Sequence, residues 1–121
     1  MGYSATNAAF RTIEAIITEA QTLRPITGSN QWIGDDGLEY FYERGNEKPD
    51  GSMTGKVMRT LKQSEWLSAW GPYRPTAVKS AGPFRIEPDG KITRFPGIPK
   101  AVKAKLDAEY KKRKELQTMR F

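Results

Sequence analysis

Residues 84–95 read FRIEPDGKITRF, so that a Pro-Asp-Gly sequence separates two runs in which apolar and polar side chains alternate. Alternation with a period of two is typical of a half-buried strand, and proline followed by Asp-Gly is typical of a tight turn. The pattern therefore predicts a β-hairpin. The predicted register pairs Glu87 with Lys91, Ile86 with Ile92, Arg85 with Thr93 and Phe84 with Arg94, with Phe84, Ile86 and Ile92 buried and the Arg94 stem beside Phe84.

A second hairpin is predicted on the N-terminal side, where Asp-Asp-Gly at 35–37 separates residues 31–33 from residues 38–43. An Asp-Gly turn between aromatic and β-branched runs is a strong hairpin signal. The alternation assigns one face of the second strand to three side chains, Leu38, Tyr40 and Tyr42.

Residues 53–61 fit two structures. Val57, Met58 and Leu61 suit a helix, whereas threonine and valine around an internal glycine suit a strand. We expect a strand that pairs with residues 38–43.

Three segments are predicted to be helical. Residues 7–23 have apolar side chains at helical spacing behind candidate N-cap residues such as Asn7, and Pro25 ends that helix. Residues 64–70 form a short middle helix with Ser64 as its cap. Residues 99–119 form the last helix.

These elements predict one α+β domain over residues 1–98, with an N-terminal helix, a mainly antiparallel sheet of four or five strands and the short middle helix. A basic C-terminal helix then occupies residues 99–121. Its apolar stripe ends at Tyr110, where the run Lys-Lys-Arg-Lys at 111–114 begins. We therefore expect its first three turns to dock on the domain and the remainder to project. Two i,i+4 ion pairs are expected along it, Asp107–Lys111 and Glu109–Arg113.

The composition limits the chemistry. The 121 residues include no cysteine and no histidine, which excludes disulfides, thiol chemistry, classical zinc sites and histidine-based catalysis. No segment is apolar enough to cross a membrane, and we expect a cytoplasmic protein without a cofactor. Several carboxylates could in principle gather around Mg²⁺, but each lies where a turn or the exposed side of a strand already accounts for it. We therefore expect neither a metal site nor an enzyme. Those carboxylates are Asp35, Asp36, Glu39, Glu43, Glu47 and Asp50.

The charge is distributed unevenly along the chain. Residues 1–52 have four basic and eight acidic side chains, a net charge of −4, whereas residues 53–99 and residues 100–121 each have eight basic and three acidic side chains, a net charge of +5. This asymmetry points to a polyanionic partner or to an acidic protein surface.

Two groups of residues carry the nucleic-acid hypothesis. The C-terminal helix could follow phosphates with six cations, Lys103, Lys111, Lys112, Arg113, Lys114 and Arg120. A mixed aromatic and basic group of the kind that stacks unpaired bases is formed by Trp70, Tyr73, Arg74, Lys79 and Arg85.

Two alternatives remain open. A helix-turn-helix would use residues 64–70 as its first helix, 71–74 as the turn, 75–81 as the second helix and hairpin 84–95 as a wing. A protein-binding module, such as an inhibitor of a host complex or a virion component, would use the aromatic strand 38–43 and the basic helix. The partner is thus DNA, RNA or an acidic protein surface.

Two stretches, GPFRIEPDGKITRFPG at 82–97 and EYFYERG at 39–45, resemble segments of short uncharacterised proteins of phages and mobile elements. The resemblance implies a phage or mobile-element origin and, for a phage-encoded protein, action in the host cytoplasm. It implies no activity.

Overall fold

The computed structural model describes residues 7–43, 45–65 and 77–118. Two helices, α1 and α2, lie near the two ends of this part of the chain, and six strands form the sheet between them. The helices are α1 (Ala8–Leu23) and α2 (Lys100–Thr118), and the strands are β1 (Gln31–Ile33), β2 (Glu39–Tyr42), β3 (Asn46–Glu47), β4 (Met53–Thr60), β5 (Val78–Ile86) and β6 (Ile92–Arg94). The predicted α+β class is confirmed.

The strands form one curled antiparallel sheet in the order β1-β2-β4-β5-β6, and β3 pairs with β4. The strand preference for residues 53–61 is confirmed, because β4 pairs with β5 along its length and with β2 at residues 57–59. The predicted 31–43 hairpin is also confirmed, and its turn contains Gly37 at a φ of +81°.

The β5–β6 hairpin has the predicted turn but a different register. Gly90 has a φ of +93°, and Ile86 faces Ile92 as expected. However, Arg85 faces Arg94 rather than Thr93, since β6 fits one extra residue into the pairing and forms a bulge. The predicted position of Arg94 beside Phe84 on the buried face is therefore wrong. Arg94 is exposed, and Phe95 enters the core in its place.

The core lies between α1 and one face of the sheet, and Val102 and Leu106 of α2 also belong to it. Trp32 is fully buried, and its indole N–H donates to the carbonyl oxygen of Gly97 at 3.0 Å. Its ring stacks on Tyr40 at 6.0 Å between centroids and packs against Phe95, which in turn packs against Phe84. The predicted core face of β2 is confirmed, because Tyr40 is buried and its two apolar neighbours on that face pack against the core.

The helix-turn-helix alternative is wrong, because residues 78–86 form β5 and the proposed second helix at 75–81 overlaps this strand. The short helix predicted at 64–70 is described only in its first turn, which is helical at 63–65. Ser64 lies inside that turn rather than capping it. Glu65 supplies the cap, since its carboxylate accepts a hydrogen bond from the Lys62 backbone N–H at 2.8 Å. The remainder of this predicted helix lies outside the described residues.

Candidate nucleic-acid interface

Helix α2 is attached to the domain at its N-terminal half by a short apolar stripe. Val102 and Leu106 are buried, and no other residue of the described helix is. Polar contacts support the stripe, because the Lys100 backbone N–H donates to the Asp35 carboxylate at 2.8 Å and Lys105 pairs with Glu19 of α1 at 2.9 Å. These contacts hold the N-terminal half of α2 against α1 and against the turn between β1 and β2.

The second half of α2 is held by one carboxylate, Asp89, in the β5–β6 turn. The Tyr110 hydroxyl donates to the Asp89 carboxylate at 2.6 Å, and the Lys114 ammonium lies 3.1 Å from the same oxygen. The Arg113 guanidinium donates to the backbone carbonyl of Asp89 at 3.1 Å. We call these four residues the Asp89 clasp. Helix α2 therefore contacts the domain for about one turn more than the three turns predicted from its apolar stripe.

The turn fixes Asp89 in position. Its other carboxylate oxygen accepts a hydrogen bond from the Lys91 backbone N–H at 3.1 Å. The hydrogen bond from the Tyr110 hydroxyl is the main reason that the pKa of Asp89 falls from 3.8 to about 2, with Lys91 and Lys114 adding to the effect and burial opposing it. The same hydrogen bond raises the pKa of Tyr110. Asp89 is thus a carboxylate at neutral pH, as the clasp requires.

Two cations of the basic run lie outside the clasp. Lys111 and Lys112 are exposed, and within the described part of the chain neither forms an ion pair. The expected pair between Asp107 and Lys111 is not formed, because Asp107 binds Lys103 at 2.7 Å instead. The expected pair between Glu109 and Arg113 is also wrong, since Arg113 reaches the turn.

The other predicted cations are engaged or lie elsewhere. Lys79 is on β5 and lies 3.5 Å from Glu65, whose pKa is held well below its usual range, chiefly by hydrogen bonds from Arg59. Arg85, at the far end of the same strand, binds Glu87 at 2.7 Å and lies 3.5 Å from Asp50. The structure therefore separates these two residues. Four further predicted residues lie outside the described part, namely Trp70, Tyr73, Arg74 and Arg120.

Sequence reasoning missed the role of two residues. Asp89 is recognisable only as a turn former, and Tyr110 only as the last member of an apolar stripe. A signal was present, because Tyr110 and Lys114 are four residues apart and lie on one helix face. What the pattern could not supply was the position of the hairpin turn next to that face.

A cleft of about 480 Å³ opens beside the clasp, between α1, α2 and the β5–β6 turn. Arg11 and Thr12 of α1 line one side, and Arg113 and Lys114 line the other. The clasp thus borders open space rather than close-packed apolar groups.

The candidate magnesium ligands are dispersed. Asp36 accepts from the Tyr40 hydroxyl at 2.7 Å, Asp50 accepts from Ser52 at 2.6 Å, and Asp35 binds α2. Among the described residues, no three acidic side chains come together in a way that could hold a metal ion.

Comparisons with protein-family models, with curated proteins and with solved structures find no match for this chain. The phage or mobile-element origin that the resemblance implies therefore stays a prediction. In the parts of the chain that the structure describes, no helix is long and apolar enough to span a membrane.

Proposed function

We propose that this protein binds nucleic acid without catalysing a reaction, and that the exposed side of α2 contacts the phosphate backbone. The observation that carries the proposal is the state of Lys111 and Lys112, two adjacent exposed lysines without an ion pair among the described residues. An origin in a phage or mobile element fits an accessory role of this kind.

The charge of the helix supports the proposal. Residues 100–118 have seven basic and three acidic side chains. None of those acids forms an ion pair with Lys111 or Lys112 in the described structure, and Asp107 is engaged with Lys103 at 2.7 Å. Exposed lysines on a docked helix bind phosphate by releasing condensed counterions, so the affinity falls steeply as salt rises.

The test is fluorescence anisotropy of the full chain with single-stranded DNA, duplex DNA and RNA at about 50 and 200 mM salt, a range in which several phosphate contacts cost orders of magnitude in affinity. We expect binding that weakens with salt. Replacing Lys111 and Lys112 together with Gln is expected to reduce the slope of log affinity against log salt by about two, one for each lost contact.

A matched control removes the same charge elsewhere. Lys56 on β4 and Lys62 after it are exposed and form no ion pair within the described residues, so Lys56→Gln with Lys62→Gln lowers the net charge equally. An equal change in both double variants would show nonspecific attraction instead of a helix interface. Absence of binding to all three probes at 50 mM would overturn the proposal and favour the protein-binding alternative.

A further inference from the structure

We propose that the Asp89 clasp keeps Arg113 and Lys114 bound to the β5–β6 turn until nucleic acid binds. Nucleic acid then contacts Lys111 and Lys112 first, and two more cations become available to it when the clasp opens. This inference rests on the proposed function and adds an internal restraint to it. In the closed state the turn carboxylate occupies the place that a phosphate would take.

The first step of the argument is geometric. Lys111 and Lys114 are three residues apart and share one helix face, so Lys114 is the natural second cation beside Lys111 for a phosphate backbone on that face. In the closed clasp Lys114 instead lies 3.1 Å from Asp89. The clasp therefore removes the neighbour that would make Lys111 part of a two-cation contact.

The second step concerns how firmly the clasp is held. The side chains of Lys114 and Asp89 are 42% and 40% exposed, and ion pairs at such positions are weak and screened by salt. Arg113 makes a hydrogen bond to a carbonyl oxygen, although a guanidinium can bind phosphate through two parallel hydrogen bonds. A phosphate therefore offers Arg113 a charged acceptor in place of a neutral carbonyl oxygen, and it can compete for Lys114 because the exposed ion pair is weak.

The third step is that opening needs no repacking. The clasp borders the cleft between the two helices, and the apolar attachment of α2 through Val102 and Leu106 lies one to three turns away. Arg113 and Lys114 can therefore leave the turn while the N-terminal half of the helix stays docked. Because the pKa of Asp89 is about 2, a drop to mildly acidic pH does not open the clasp. The phosphate backbone is the competing anion that this proposal assigns to the opening.

The experiment compares three full-length variants in duplex-DNA binding across the same salt range. Asp89→Asn removes the negative charge that pairs with Lys114 and leaves unchanged the backbone carbonyl that Arg113 contacts. Glu115→Gln removes one negative charge from α2 and leaves the clasp intact, because Glu115 is exposed and has no ion pair in the described structure. Tyr110→Phe weakens the clasp without any change of charge, since it deletes the 2.6 Å hydrogen bond.

We expect Asp89→Asn to bind duplex DNA severalfold more tightly than the wild type at about 50 mM salt, because Lys114 no longer has to leave a carboxylate partner. Its salt slope should stay close to that of the wild type, because the bound state contains the same cations in both proteins. Glu115→Gln should gain less affinity than Asp89→Asn, and Tyr110→Phe should fall between wild type and Asp89→Asn. Circular dichroism would verify that each variant keeps its helices.

The outcomes separate the two proposals. If the wild type binds and Asp89→Asn behaves like Glu115→Gln, the clasp does not restrain its cations, and only the proposed helix interface is supported. Tyr110→Phe with the wild-type affinity would likewise overturn the clasp. If the wild type binds no nucleic acid, the proposed function fails and this inference fails with it.

Discussion

The two helices are attached to the sheet in different ways. Helix α1 buries five residues, Ala9, Ile13, Ile16, Ile17 and Ala20, whereas α2 buries only Val102 and Leu106 in the described structure. The second half of α2 relies on the Asp89 clasp instead. An apolar stripe holds a helix firmly but buries one of its faces. A polar clasp holds the helix weakly and leaves its charged side chains accessible to solvent.

The energetic difference follows from the type of contact. Full burial of an aliphatic side chain stabilises the folded state by about 1.5–3 kcal/mol, and α1 has three isoleucines in its stripe. A net hydrogen bond contributes about 1 kcal/mol, and an exposed ion pair contributes about 0–1 kcal/mol. We infer that α1 is part of the folding core and that the second half of α2 is the part of the surface that can change its contacts.

The largest expected effect tests this division of roles. Ile16 is fully inaccessible to solvent, whereas Leu106 keeps 9% of its surface exposed at the edge of the core. Replacing Ile16 with Ala is expected to lower the free energy of unfolding by about 3–5 kcal/mol, and replacing Leu106 with Ala by about 2 kcal/mol, because an edge site can relax around the lost atoms. Urea unfolding monitored by circular dichroism measures both. Equal losses would mean that α2 belongs to the core as much as α1 does.

A smaller effect is expected at Gly90, where both helices meet the hairpin turn. Thr12 of α1 donates to the Gly90 carbonyl at 3.1 Å, and a Cβ at this position would lie 2.8 Å from the Thr12 hydroxyl oxygen and 3.3 Å from the Arg113 guanidinium. Gly90→Ala is therefore expected to cost about 1–3 kcal/mol through its positive φ and these contacts together.

The control for Gly90 is Gly37, which also has a positive φ but has nothing within 4 Å of the position where a Cβ would stand. Gly37→Ala thus measures the backbone cost alone, about 1 kcal/mol. The difference between the two unfolding free energies gives the cost of crowding the helices. If both variants lose the same stability, the turn does not couple to either helix.

Local patterns predicted the hairpins well but not their fine register. Pro88, Asp89 and Gly90 specify a turn through their own backbone preferences, and that turn forms as expected. The bulge opposite Arg85 depends on Phe95 reaching the core beside Trp32, which is a contact between residues far apart in the sequence. Alternation alone assumes an unbroken ladder, so it placed Arg94 on the wrong face.

The sequence predicts which residue types form the candidate site, but it does not predict how their side chains are arranged. The run at 111–114 identifies a cationic helix end from the sequence. Which of its members are available depends on where the β5–β6 turn lies relative to α2, and no local pattern encodes that distance. Asp107 has two possible i,i±4 partners, Lys103 and Lys111, and the sequence does not decide between them.

The smallest expected effect is the pH dependence of the clasp. The pKa of Asp89 lies at about 2 in the folded protein and at 3.8 without its partners, so the folded state binds its proton less readily. The clasp therefore stabilises the fold fully above about pH 4, and this contribution is lost as the pH falls towards 2. Because the carboxylate is 40% exposed, we expect this contribution to the free energy of unfolding to be less than about 1 kcal/mol.

The measurement is the difference in unfolding free energy between wild type and Asp89→Asn, which should shrink from pH 5 to pH 2. A difference that does not change over this range would mean that the Asp89 carboxylate contributes nothing to holding α2.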